Sequence, residues 1–282
     1  MALSLFKHGV VFLSTPVVSL SFVHTHSRME PIQKGVSMMS TEDTKATKRV
    51  PMDSLRKTAL VAGAFYLLTF VSIPTLALYG PVRGAKYIVG PGPDTGVLFG
   101  GVLEIIVALA GIGTAVTLYP VVKRQNEGVA LGFVGSRVLE AATIFAGVAC
   151  LLSVVTLRQA GAGADALVTG QALVAMYDRM FLVGGSLLPA VNAVLLGSLL
   201  YQSRLVPRVL PLLGFIGVPL LVAADIAVLF GLIGRSSPPA ALAALPIALW
   251  EFALGVWLVV KGFKPSPITA GMAATSDVTP AR

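Results

Sequence analysis

Five ionisable side chains fall inside long apolar stretches of this sequence: Glu104, Arg137, Glu140, Asp225 and Glu251. A charged group at the centre of a membrane helix costs about 2.5–3.5 kcal/mol on insertion scales. Such residues are expected to turn away from lipid and toward partners. Arg137 and Glu140 sit three apart, on one helical face, and can pair on their own helix. A guanidinium has five donors, so Arg137 can clamp a second carboxylate as well, with Glu104 or Glu251 the natural candidates. Four acids against one base leave carboxylates without a charged partner. Carboxylates in a membrane seam can take and release protons, which suits a proton-coupled carrier. The same groups can instead form a polar network that only fixes helix register.

Other chemistry is sparse. Asp178-Arg179 stands at the predicted outer end of a span, either to gate or bind a polar head group or as a solvated helix end. Asn192 is expected to hydrogen-bond across to a neighbouring helix. The sequence has no His-Glu-x-x-His, no phosphate loop and no Gly-x-Ser-x-Gly elbow. Its histidines are His8, His24 and His26, all before the apolar runs. Cys150 is the only cysteine, which excludes an intramolecular disulfide and a cysteine metal cluster. No catalytic residue, metal ligand or cofactor site is expected. An intramembrane enzyme would have to work with carboxylates alone.

The elements that must position these residues are membrane-length apolar runs. The chain is 55% hydrophobic and 12% charged, far below the charge of a water-soluble domain. Six runs of spanning length are predicted, at 58–79, 96–119, 129–157, 179–201, 209–233 and 240–260. Pro74, Pro189, Pro219 and Pro246 lie within them, as membrane helices permit. The fold class is therefore all-α, an integral membrane bundle of six transmembrane helices. The stretch 165–177 either lies at the interface or extends the fourth run. Residues 1–52 read as an N-terminal extension, without order or weakly signal-like. Residues 53–264 form the membrane domain, and 265–282 a tail with no ordering pattern.

The net charge of +8 lies singly or in pairs between apolar runs, which speaks against nucleic acid and for a positive-inside bias. The heavier side carries Lys45, Lys48, Arg49, Arg56, Lys57, Lys123, Arg124, Arg204, Arg208, Lys261 and Lys264, so both termini are expected in the cytoplasm. The expected partner is the lipid bilayer. Small-residue pairs such as Ala193-x-x-x-Gly197 are compatible with a homo-oligomer but signal it only weakly. Leu131-Gly-Phe-Val-Gly135 recurs as Leu213-Gly-Phe-Ile-Gly217, the trace of a duplicated hairpin or of shared apolar composition.

Three blocks resemble a known family: TLYPVVKRQNEGVALGFVGSRVLEA (117–141), YQSRLVPRVLPLLGFIG (201–217) and LPIALWEFALGVWLVVKGF (245–263). In order, they are similar to the recurring blocks of the bacterial multi-pass membrane family catalogued as domain of unknown function 4386. The resemblance covers about 55–264 and implies a protein of the bacterial cytoplasmic membrane. It implies no activity, substrate or catalytic residue. The leading expectation is a structural or accessory membrane protein with a buried Arg/Glu seam; the alternative is a proton-coupled or small-solute carrier.

Overall fold

The computed structural model describes residues 54–84 and 86–270. All belong to the second of two units, Val50–Arg282; the predicted N-terminal extension lies outside them. Six helical spans cross this unit: Ser54–Leu78, Thr95–Val122, Glu127–Gln159, Gly163–Ser203, Val209–Leu229 and Pro238–Val260. Within them lie α1 (Ser54–Leu68), α2 (Thr75–Leu78), α3 (Thr95–Val122), α4 (Glu127–Gln159), α5 (Leu167–Met180), α6 (Leu188–Ser203), α7 (Val209–Leu229) and α8 (Pro238–Val260). No strand occurs among the described residues. Helices pair every backbone group within one segment, as hydrocarbon requires. The protein is a multi-pass membrane protein.

Each span packs against its neighbours in sequence, and α8 closes back on α1, so the six form a ring. The closing contact depends on small residues. A Cβ on Gly63 would lie 2.7 Å from the Gly255 carbonyl oxygen, and one on Gly255 would press on Tyr66. Arg56 fastens the same seam, donating to the carbonyls of Leu258 at 2.9 Å and Val259 at 2.5 Å. Those carbonyls belong to the last turn of α8, which has no helical donors left for them. The ring's outer surface carries exposed Leu76, Phe99, Val116 and Leu131, the pattern of a lipid-facing wall.

Two spans depart from the predicted bounds, for identifiable reasons. The first leaves α-helical geometry after Leu68, before Pro74, and runs through a 3₁₀ turn at Thr69–Ser72. Thr69, Ser72 and Thr75 each donate a hydroxyl to the carbonyl three residues back, which competes with the helical ladder. The fourth span begins far earlier than 179, because α5 continues it outward through a π-helical segment, Phe181–Leu187. Pro189 follows that segment and offers no N–H to Gly185, so the ladder must be locally reset there.

The ends hold the ring in register. Asn126 caps α4, accepting from the Val129 N–H at 3.0 Å. The loop before α3 is tied to the end of α4: Arg158 ion-pairs with Asp94 and donates to the Gly90 carbonyl at 3.0 Å. Residues on both sides of the expected tail boundary at 265 dock on the ring. The Lys264 N–H donates to Leu205 at 2.7 Å and the Ser266 hydroxyl to the Ser203 carbonyl at 2.6 Å. The repeated motif diverges in its packing: Gly214 receives the Trp250 ring, whereas Gly132 meets Leu195.

Candidate functional site

Arg137 is 2% exposed and sits inside the ring on α4. One Nη donates to Glu140 at 3.0 Å on the same helix; the other donates to Glu251 of α8 at 2.6 Å and to the Tyr66 hydroxyl of α1 at 3.3 Å. The guanidinium also lies over the rings of Tyr66 and Phe133, at 5.4 and 5.8 Å from their centroids. Asn192 of α6 completes the group, donating to Glu140 at 2.7 Å. The cluster thus ties four spans together, with buried Glu140 and half-buried Glu251 both set against the one guanidinium.

The other predicted acids do not join this cluster. Glu104, 6% exposed, accepts from the Tyr177 hydroxyl at 2.7 Å. It lies seven residues before Gly111, the part of α3 that the Arg137 stem leans on. That is two turns, or about 10 Å along the helix, which keeps Glu104 from Arg137. Asp225 lies in the last turns of α7 and accepts from Ser186 at 2.6 Å. The five residues expected to share one seam therefore make three separate hydrogen-bonded groups.

Asp178 does not use its neighbour Arg179, which is exposed. It pairs with Arg83 at 2.8 Å and with Arg235, residues from two different links between spans. Both guanidiniums also lie over the Tyr177 ring, and Arg235 over Phe181 at 3.9 Å. Tyr177 thus stands between two cations above and a carboxylate below. Beside it Tyr79 is buried, its ring edge-on to Tyr177 at 5.5 Å between centroids.

Between these groups lies a cavity of about 320 Å³. All six spans contribute to its wall, which carries Glu104, Arg137, Glu140 and Glu251 together with the rings of Phe70, Tyr177 and Phe181. Leu221 and Ile247 reach it from one hydrophobic cluster and Tyr177 from the other. No group of three metal-ligating side chains of the His, Cys, Asp or Glu types occurs among the described residues.

Residues 61–262 match the model of a family described as Domain of unknown function (DUF4386). The chain belongs to this family. No curated protein and no solved structure matches it. The charged cluster, the cavity wall and the Asp178 triad all lie within the segment matched to DUF4386. That description names no activity, so the chemistry of this DUF4386 protein rests on its geometry. Reading the sequence missed Tyr66, Tyr177, Arg83 and Arg235 as site residues. The tyrosines carried a usable signal: a hydroxyl within a spanning run needs a polar partner. The arginines carried none, because loop bases are ordinary in membrane proteins.

Proposed function

We propose that this DUF4386 protein is a carrier-type membrane protein whose central cavity exchanges protons with a small solute. The observation that supports this reading is the cavity itself, walled by three carboxylates against one guanidinium. A network serving only packing would be filled by side chains at interior density. A hollow lined by ionisable groups inside a membrane ring has the features of an ion or substrate path. Glu140 and Glu251 share Arg137, so a proton arriving at either changes how the guanidinium is divided between α4 and α8. The same triad also joins helices, and that packing role is compatible with transport.

The test is proton flux into vesicles holding the purified protein and a trapped pH-sensitive dye, under an imposed membrane potential. Flux above that of empty vesicles is expected for the wild type, and Glu140→Gln and Glu251→Gln should reduce it to background while still folding. Wild-type vesicles as tight as empty ones, or folded variants with unchanged flux, would remove the carrier reading.

We further place the protein in the bacterial cytoplasmic membrane with both ends of the ring's chain in the cytoplasm. Arg56, Lys57, Lys123, Arg124, Lys261 and Lys264 crowd that side. The other side carries fewer bases, Arg83, Lys86, Arg158, Arg179 and Arg235, and the Lys/Arg bias sets orientation. A reporter enzyme that works only in the cytoplasm should be active when fused after Arg282; activity of a periplasm-only reporter there would reverse the orientation.

A further inference from the structure

We propose that the solute is a small organic ammonium bearing a hydrogen-bond acceptor, bound with its cationic end at Glu104; this rests on the carrier reading above. Arg137 is engaged by Glu140 and Glu251, whereas Glu104 has no cation within ion-pair distance among the described residues. Its polar neighbours are the neutral hydroxyls of Tyr177, at 2.7 Å, and Tyr79. The nearest bases, Arg83 and Arg235, lie beyond the Tyr177 ring and are held by Asp178. An anion would meet a wall with an excess of carboxylate; a cation is drawn to it.

Two features select an organic cation over a bare metal ion. Phe70, Tyr177 and Phe181 present rings to the cavity beside apolar Ile73, Val107 and Ile144. Aromatic faces hold ammonium groups but cannot replace the oxygen shell that a hard metal ion demands. At the other end Arg137 lines the cavity together with Glu140 and Glu251. A guanidinium has more N–H donors than these partners use, so this end suits a ligand hydroxyl or carbonyl. The two ends lie about two turns of α3 apart, on the order of 10 Å, which suits a molecule several bonds long. The volume of about 320 Å³ is at the small end of ligand pockets.

Such a group can come from a free amine or from a lipid head group. The experiment is titration calorimetry on the protein in nanodiscs of phosphatidylglycerol, which carries no ammonium. Choline is the probe, and its uncharged carbon isostere and acetate are the comparisons. Saturable choline binding is expected, with the isostere weaker by on the order of tenfold and acetate unbound. Glu104→Gln should weaken choline by a similar factor and Glu104→Asp by less. Should Glu104→Gln fail to fold, Phe181→Leu and the isostere still decide, since both remove the cation–ring contact. Repeating the titration with phosphatidylethanolamine in the disc separates the sources: competition assigns the site to the head group, its absence to the free amine. Equal binding of choline and its isostere overturns the inference. So does absence of choline binding while Glu251-dependent proton flux persists, and in that case the carrier reading stands. Loss of both removes both.

Discussion

At the scale of single residues, Arg137 carries the greatest burden. Its two Nη atoms reach Glu140, Glu251 and Tyr66, and none of these has a replacement base nearby. Removing one member of a buried ion pair costs about 3–5 kcal/mol, chiefly by stranding the other charge. Arg137→Leu is therefore expected to lose about that much stability, measured by unfolding in detergent. Adding Glu140→Gln and Glu251→Gln should restore most of it, because no carboxylate that Arg137 had paired is then left behind. A stable single variant would mean that the acids are solvated without Arg137. The ionisable residues within spans were legible as inward-facing, since lipid leaves them little choice. Their pairings were not. Spacing along one helix relates Arg137 to Glu140, but the choice of Glu251 over Glu104 depends on depth and rotation in two other helices.

At the scale of elements, side-chain hydroxyls and loop ion pairs decide where helices bend and stop. The 3₁₀ turn of the first span and the π segment of the fourth both line the cavity, where irregular backbone is tolerated in a membrane protein. Proline positions hinted at these breaks but misplaced the first, because Thr69 and Ser72 act upstream of Pro74. The link before α3 owes its shape to Asp94, which accepts from Arg158 at 2.7 Å, Tyr87 at 2.5 Å and Gln159 at 3.0 Å. The Arg158 hydrogen bond above all holds the Asp94 carboxyl down at about 2, and burial pushes the Tyr87 hydroxyl up to about 12. A depressed carboxyl favours the folded state in full above its ordinary value of 3.8 and loses that contribution as pH falls through about 2. The melting temperature of the wild type should therefore exceed that of Asp94→Asn near neutral pH. The gap should close as pH is lowered from about 4 toward 2. A gap that stays constant with pH would show that the ion pair does not hold this link.

At the scale of the whole molecule, the sequence revealed the number of spans and their order, because hydrocarbon thickness sets helix length. It did not reveal that the ring closes through Gly63 and Gly255, or that the acids surround a hollow. Those follow from helix rotation and from small differences in side-chain volume, which periodicity in a uniformly apolar run hardly encodes. The measurement that tests the account most directly is chemical access to the hollow. Ala248 lines it from α8, and the only native thiol, Cys150, can be replaced by Ala. With Ala248→Cys in that background, a small, water-soluble, cationic thiol reagent should modify the folded protein in intact membranes, and choline should slow the reaction. An Ala248→Cys thiol that stays inert until the protein is unfolded would contradict a solute-accessible charged cavity at the centre of the ring.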